Sequence, residues 1–528
     1  MSMRKHPGQS RAFRPSAEGL EGRKLLAATV TGMNTAGDVW TLKLSGKGTL
    51  QVLKQDDASG NPAPLNSASE IKSITISGTD PTTSRLTATV KKAAGSTGEV
   101  FFQELNQQTN RSLRAVGGVA GLGIKSINIP DFYLGVTDPT TSTSTGQPRA
   151  QINIPDGINS LRFGGVDTTA FFGTDPTQSV TQDGQNDVFL VSLGLPSRIG
   201  TSIVINKSIS SDQAGTTSST GTTNSPTQNT VIFDVAGRLN LFQANEIDGN
   251  TTIPPAAASF NAGTIVSSYP DPVNALTGAF GFIRVGGNAT NFSAVTNDRI
   301  ANFYVGGEAN NVNLLAANGS RNLYFGKGLD TTTILTHTIQ NLFANRGAVN
   351  SRVVTDRQIG DIMLGGDATN STFLSGYVQG LASVAGNVQQ NINNLQLSQA
   401  ATIPTPTAQA NGNITAFVSG NVTNSVFAAS DQPISQLINS NDQTFGNPQD
   451  ALLPLGKIEA RVQGSIDNST ATPDSPTTAF YAKSVKLTRG PVSPPRVVEP
   501  PLAPPGTPQS LPGIPVVYPK NTAKTAKA

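Results

Sequence analysis

The chain has 528 residues, of which 13% are charged and 36% are hydrophobic, and its formal net charge is only +3. It has no cysteine and two histidines, which excludes disulfides, thiol catalysis and Cys-type zinc or iron–sulfur sites. Lys and Arg are scattered instead of clustered with aromatic residues, so nothing favours nucleic-acid binding. No apolar run is long enough for a membrane-spanning helix. Gly, Ser, Thr and Asn recur too often for long helices to form, which favours an all-β protein.

Residues 1–28 are basic but contain no sustained apolar run, so they do not match a standard secretory signal. The run RPSAEGLEGRKLLAA, from Arg14, resembles the N-terminal sorting motif of planctomycete extracellular proteins, in which a Leu-Glu pair, a basic residue and Leu-Leu-Ala follow Arg-Pro. The matching positions are Leu20, Glu21, Arg23, Leu25, Leu26 and Ala27. Gly22 departs from the family, which often has proline there. The resemblance implies export or surface retention and implies no activity.

Residues 29–120 contain short alternating apolar runs broken by Gly, Asp and Pro, which is typical of β-strands. The phrase IKSITISG at Ile71 returns as IKSINIPD at Ile124 and as INSLRFGG at Ile158, so we expect a repeat to begin early. The region 29–120 is predicted to be a β-rich N-terminal part, either separate or a cap on the first rung. Two Ser/Thr-rich inserts, 137–148 and 210–230, are predicted to be exposed loops.

One phrase recurs about every twenty residues between Phe282 and Gln390, which is the signature of a repeat architecture. Its copies are FIRVGGNATNFSAV, FYVGGEANNVNLL, LYFGKGLDTTTIL, LFANRGAVNSRVV and IMLGGDATNSTFL, with a fainter sixth, SVAGNVQQNIN, from Ser383. Each copy is predicted to be a strand, a tight turn and a second strand. A unit this small buries no core alone, so successive units must stack about 4.8 Å apart. The predicted fold over 121–490 is an all-β parallel β-helix, or β-solenoid, with rungs of about 20 residues.

Three sets of residues define this predicted solenoid. The residues predicted to fill its lumen are Val285, Val305, Phe325, Ala344, Leu364 and Val384. The glycines predicted to supply positive φ at the turns are Gly286, Gly306, Gly326 and Gly365. The residues predicted to form a hydrogen-bonded amide ladder are Asn291, Asn311, Asn350 and Asn370, with Thr331 in place of one Asn.

Two later copies extend the array towards the carboxyl end. They begin at Ile414 and Ile458 and place Gly420 and Gly464 six residues later, the same offset that separates Ile359 from Gly365. Residues 491–528 are rich in proline, which cannot extend a sheet. This tail is predicted to be disordered, and to serve as a spacer or an attachment segment.

An enzyme on this scaffold would need acidic side chains stacked on neighbouring rungs. The candidate column is Asn288, Glu308 and Asp367, in which the two acids are three rungs and roughly 14 Å apart, too far for a glycosidase pair. Asp167 is out of register with this column, and Asp356, beside Arg357 and near Asp330, is predicted to be a surface charge. His337 is isolated and is predicted to be an ordinary turn residue. The glycine-rich phrases lack the third Gly and the Asp of Ca²⁺-binding nonapeptides. The sequence therefore predicts no catalytic, cofactor-binding or metal site, and no cofactor.

A column of large side chains is the remaining candidate for ligand binding: Tyr304, Tyr324, Phe343 and Met363 align in adjacent copies. Outside the solenoid these rings could stack on sugars, and inside they would be core. Packing is the favoured interpretation.

The repeat pattern and the lack of an acidic pair predict a non-enzymatic protein, and the N-terminal resemblance implies that it is exported to the cell surface. The predicted role is therefore that of a stalk, an adhesin or a structural component of the envelope. The alternative is a carbohydrate-active β-helix enzyme, either a polysaccharide lyase or a hydrolase. The expected partners are cell-envelope polysaccharides or other surface proteins.

Overall fold

A computed structural model describes most of the β-rich part of the chain. The described residues are 28–55, 63–108, 123–136, 149–171, 188–194, 200–210, 230–235, 238–253, 280–296, 298–316, 319–355, 357–376, 412–429, 456–467, 479–482 and 484–489. The predictions for the sorting segment 1–27, most of both loop inserts, the sixth copy with Val384 and the tail 491–528 lie outside these residues.

The described residues form an all-β parallel β-helix. They contain 36 strands joined in one sheet, which coils so that strands from successive rungs lie over one another in three columns. We name these columns A, B and C in the order in which the chain passes through them. Pairing is parallel throughout, except for three antiparallel pairs at the amino end.

Column A contains the first strand of each rung. Its strands are β5 (Arg85–Lys91), β7 (Ile124–Val136), β9 (Ile158–Phe171), β11 (Thr201–Ile205), β14 (Leu239–Ala244), β16 (Phe280–Val285), β18 (Arg299–Val305), β21 (Gly319–Phe325), β24 (Ile339–Ala344), β27 (Ile359–Leu364), β30 (Asn413–Val418), β33 (Lys457–Val462) and β36 (Ser484–Arg489). The second halves of β7 and β9 turn the corner into column B.

Column B contains short strands. They are β12 (Ser208–Ser210), β15 (Glu246–Ile253), β17 (Ala289–Thr296), β19 (Glu308–Asn310), β22 (Gly328–Asp330), β25 (Gly347–Val349), β28 (Asp367–Thr369), β31 (Val422–Thr423) and β34 (Ile466–Asp467). The second halves of β15 and β17 continue into column C.

Column C closes each rung. Its strands are β4 (Ile71–Ser77), β6 (Val100–Gln108), β8 (Ala150–Ile154), β10 (Val188–Leu193), β13 (Thr230–Val235), β20 (Asn313–Ala316), β23 (Thr333–Thr336), β26 (Arg352–Thr355), β29 (Thr372–Ser375), β32 (Val426–Ala429) and β35 (Ala479–Tyr481). A rung therefore has three strands. The predicted two-strand unit was wrong, because the three residues of a column B strand are too few to show an alternating pattern.

The lumen is filled by the residues that the repeat predicted. Val285, Val305, Phe325, Ala344 and Leu364 are all buried and belong to one hydrophobic core that runs the length of the described stack. Pairing in column A places them directly over one another. Aromatic residues of this core also stack between rungs, as Phe292 does on Phe303, with ring centroids 6.1 Å apart.

Among the non-glycine residues, positive φ occurs at the corner between columns B and C, and the four glycines predicted to supply it at the A–B corner do not have it. The non-glycine residues in the left-handed region are Asn291, Asn311, Thr331, Asn350, Asn370 and Asn424, with φ between 48° and 53°. Gly286, Gly306, Gly326 and Gly365 are not among the positive-φ residues, so that prediction was wrong. Asparagine tolerates this conformation better than other residues with a side chain, which explains its recurrence at this corner.

The amide ladder is confirmed in two places. Asn311 Nδ2 donates to Asn291 Oδ1 at 2.7 Å, and Asn370 Nδ2 donates to Asn350 Oδ1 at 3.2 Å. Thr331 lies between these two pairs and has φ 48°, a strained value for a β-branched residue.

Replacing Thr331 with asparagine is expected to raise the free energy of unfolding by about 1 kcal/mol, since the new amide tolerates the left-handed backbone and can bridge Asn311 and Asn350. Urea unfolding followed by circular dichroism measures the change. Thr369→Asn is the matched control, because Thr369 lies in a strand beside the left-handed Asn370. A loss of stability in Thr331→Asn would contradict this explanation of the corner.

The glycines of the A–B corner are required by close approach between rungs. A Cβ atom on Gly306 would lie 2.2 Å from the carbonyl oxygen of Gly286, and one on Gly326 would lie 2.1 Å from that of Gly306. A Cβ on Gly365 would lie 2.2 Å from the oxygen of Asn345. These atoms are backbone and cannot move away without disturbing the ladder.

Two predicted alignments differ from the observed register. Ile71 pairs with Phe102 in column C, whereas Ile124 pairs with Ile158 in column A, so the similar phrases at Ile71 and Ile124 are not stacked. A register shift after Ile359 pairs Leu364 with Val418. Gly420 consequently follows Gly366 in the stack, and not Gly365, as its offset from Ile414 had indicated.

The amino end of the stack is covered by antiparallel strands. β1 (Ala28–Met33) pairs with β2 (Val39–Ser45), and β2 pairs with β5 of column A. β3 (Thr49–Lys54) pairs with β4 of column C. Trp40 of β2 is fully buried and meets Phe132 edge-on, with ring centroids 6.5 Å apart. These strands therefore close the lumen at this end.

A buried lysine completes this cover. The ammonium of Lys54 donates to the carbonyl oxygens of Met33 and Ser67. Burial lowers the pKa of Lys54 to about 8, while the nearby carboxylate of Glu70 acts in the opposite direction. Burial also raises the pKa of Glu70, whose carboxylate accepts hydrogen bonds from Thr35 and Phe101. Each polar group has partners here, which marks this cluster as structural.

Candidate functional site: the outer faces of the solenoid

The predicted acidic column lies on the outer face of column B. The backbone N–H of Glu308 donates to Asn288 Oδ1 at 3.0 Å, which places these two residues on adjacent rungs. Gly328 and Gly347 occupy the same position on the next two rungs, and Asp367 follows. Glu308 and Asp367 are thus three rungs apart, as the repeat predicted.

The structure adds Glu246 to this column. Asn288 Nδ2 donates to Glu246 Oε1 at 3.4 Å, so Glu246 lies one rung before Asn288 and two before Glu308. Two rungs correspond to about 10 Å, close to the upper limit of about 9.5 Å for an inverting glycosidase pair. The sequence did not reveal Glu246, because the segment between Ile253 and Phe280 interrupts the twenty-residue period.

Asp167 was predicted to be out of register with the acidic column. It lies in a separate row of outward side chains on the strands of column B. Asp167 pairs with Ser210, and Ser210 pairs with Asp248. Asp248 follows Glu246 by two residues, and both lie on the outer face because Ile247 between them is buried in the core. Asp167 and Asp248 therefore lie in one row of outward side chains, beside the row that holds Glu246 and Glu308.

Tyr133 lies near Asp167 and over two glycines. A Cβ on Gly164 would meet its ring at 2.6 Å, so glycine is needed there to make room for the ring. Burial raises the pKa of Tyr133, and the neighbouring Glu99 raises it further. The phenol therefore stays protonated and donates a hydrogen bond, and it is poorly suited to act as a base.

The column of large side chains lies outside the lumen but is not open to solvent. Tyr304, Tyr324, Phe343 and Met363 are paired rung by rung and form a cluster separate from the main core, with exposures of 2–8%. The rings of Tyr304 and Tyr324 stack 4.9 Å apart. The prediction that these side chains pack agrees with this burial, but the expected place inside the lumen was wrong. The rings do not offer a bare platform for sugars.

A second amide ladder runs beside this column on the outer face of column A. Asn322 Nδ2 donates to Asn302 Oδ1 at 2.9 Å, and Asn341 Nδ2 donates to Asn322 Oδ1 at 2.8 Å. Asp361 takes the next position, where burial raises its pKa. This ladder was not predicted from the sequence, although Asn302, Asn322 and Asn341 are spaced 20 and 19 residues apart.

The remaining sequence candidates do not form a site. His337 lies at the corner between columns C and A, where its backbone N–H donates to Ala316 and its carbonyl oxygen accepts from Arg357. Asp356, which the sequence indicated as a surface charge, lies outside the described residues. Asp330 is in β22 of column B, away from the corner that holds Arg357.

Among the residues with a described position, no three His, Asp or Glu side chains are grouped so that they could hold a metal ion. No helix in the same part of the chain is long and apolar enough to cross a membrane. No protein-family model, no curated protein and no solved structure matches this chain.

Proposed function

We propose that this protein is a non-enzymatic, exported surface protein whose solenoid acts as a stalk, an adhesin or a structural component of the cell envelope. The observation that carries this proposal is the unbroken sheet and core of the described stack. Twelve successive parallel pairings in column A, from β5 to β36, give an axial length of about 60 Å.

The hydrogen bonds of such a stack explain why it suits this role. They run along the solenoid axis from rung to rung, so a pull along the axis loads many of them. The two amide ladders add side-chain bonds in the same direction. No disulfide contributes to this stability, because the chain has no cysteine. The N-terminal resemblance to planctomycete extracellular proteins supports export, and the proline-rich tail suits a spacer or an attachment segment.

Fractionation of the source cells tests the proposal. We expect the full chain in the envelope or extracellular fraction, and we expect protease added to intact cells to degrade it. Deleting residues 491–528 should leave the circular dichroism spectrum and the melting temperature nearly unchanged, since prolines cannot extend the ladder, while envelope retention falls. Full protection inside intact cells would contradict surface exposure, and unfolding of the truncated chain would show that the tail belongs to the stack.

Glu246 and Glu308 favour a second candidate, a carbohydrate-active enzyme that uses the outer face of column B. Under the leading proposal, incubation with acidic and neutral polysaccharides should release no new reducing ends and no unsaturated products. Turnover that is lost in both Glu246→Gln and Glu308→Gln but kept in Asp367→Asn would instead establish the enzyme. Asp367 is the matched control because it is in the same column, three rungs from Glu308.

A further inference from the structure

The two ends of the solenoid differ, and the carboxyl end is open. β36 pairs with β33 and with no other strand of the described residues. β35 and β34 are likewise the last described strands of columns C and B. Three strand edges consequently meet at this end with backbone groups available for further pairing.

Two lumen residues are exposed at this end. Val485 pairs with Ile458 and Leu487 pairs with Ala460, and both partners are buried in the core. Val485 and Leu487 themselves are 41% and 43% exposed, since no described rung covers them. At the amino end, by contrast, Trp40 and the antiparallel strands cover the lumen.

We propose that this open end binds the open end of a second copy of the chain, so that two solenoids join tail to tail about a two-fold axis. A two-fold axis across the edge of β36 makes the two copies of this strand antiparallel, which continues the sheet. The interface closes on itself, because the covered amino ends cannot propagate it. The assembly is therefore a dimer and not a fibre.

The sequence of β36 permits this pairing in one favourable register. Residues directly opposite in an antiparallel pair share a face, so a pairing centred on Leu487 sets it against its own copy within the joined lumen. The same register sets Lys486 against Thr488. Centring the pair on Lys486 would bring two ammonium groups together, which is unfavourable.

The alternative occupant of the open end is the chain's own tail, residues 490–528. The composition of the tail argues against its pairing with β36. Gly490 follows β36 directly, and Pro491, Pro494 and Pro495 come next. Proline has no N–H to donate, so these residues cannot add a regular strand at this edge. A second β36 brings a complete set of donors.

Light scattering and sedimentation of the full chain test the dimer. We expect a mass twice the 54.7 kDa of one chain, with dissociation on dilution. Leu487→Lys should weaken the dimer at least tenfold while the melting temperature stays nearly unchanged, because the side chain is already half exposed. Val349→Lys is the matched control, since Val349 is an equally exposed apolar residue in the middle of the stack, at 40%.

Disulfide trapping tests the register, because the chain has no cysteine of its own. Opposed residues in antiparallel strands have Cα atoms about 5 Å apart, within reach of a disulfide. Leu487→Cys should therefore give a covalent dimer on mild oxidation, and Val349→Cys should not.

A wild-type chain that is monomeric at every soluble concentration overturns the proposal. A dimer that persists in Leu487→Lys also overturns it. If that dimer is lost on deleting residues 490–528, the tail forms the contact instead of β36. None of these outcomes depends on where the protein functions.

Discussion

Replacing Phe325 with aspartate is expected to lower the free energy of unfolding by about 4 kcal/mol or more. Phe325 has no exposed surface and packs in the lumen, with its ring centroid 5.6 Å from that of Phe303. Val305 and Ala344 lie directly before and after it in the stack. An aspartate there would lose the aromatic packing and bury a carboxylate that has only apolar neighbours in its column.

Urea unfolding of wild type and variant measures this loss, and two variants separate its causes. Phe325→Leu removes volume without adding charge and should cost less, about 1–2 kcal/mol. Val349→Asp adds the same charge at an exposed position of the same stack and should change stability by about 0.5 kcal/mol or less. A near-zero effect of Phe325→Asp would place this column outside the lumen.

The architecture could be predicted because each rung of column A repeats the same apolar positions at nearly constant spacing. Val285, Val305 and Phe325 recur every twenty residues, and only a stack buries all of them at once. The third strand of the rung could not be predicted in the same way. Column B strands such as β19 (Glu308–Asn310) have three residues, so one buried residue between two exposed ones is their whole pattern.

The candidate site was predicted less completely than the fold, because side chains on the outer face carry no packing signal. Glu308 and Asp367 follow the regular repeat and were placed correctly. Glu246 was missed because residues 254–279 interrupt the twenty-residue period between its rung and the next. The shift after Ile359 has a similar effect, since one extra residue moves Gly420 beneath Gly366 without leaving a mark in the local sequence.

The outer face of column A shows why burial cannot be assigned from alternation alone. Tyr304 alternates with the lumen residues Phe303 and Val305, so alternation places it outside, and its separate cluster agrees. It is nevertheless only 2% exposed, and the guanidinium carbon of Arg284 lies 5.3 Å from its ring centroid. The pattern identifies the side of the sheet correctly, but not whether that side is open to a ligand.

The last prediction concerns Gly306, where the reason for glycine is close approach. Gly306→Ala is expected to destabilise the protein by about 2–3 kcal/mol, and Gly306→Val by more, since the added Cβ would lie 2.2 Å from the Gly286 carbonyl oxygen. Relieving that contact requires separating two rungs at a point where Gly306 N–H donates to Val285 at 2.9 Å. Thermal melting and urea unfolding both report the loss.

Two further variants distinguish close approach from backbone strain. Gly95 has φ +83° and open space around its missing Cβ, so Gly95→Ala should show the cost of positive φ alone, about 1 kcal/mol. Asparagine tolerates positive φ better than alanine does, so strain at Gly306 would make Gly306→Asn the milder change. Under close approach, Gly306→Asn is at least as damaging as Gly306→Ala, because its side chain is larger. A milder Gly306→Asn, or unchanged melting in Gly306→Ala, would show that the rungs can separate at this corner without loss.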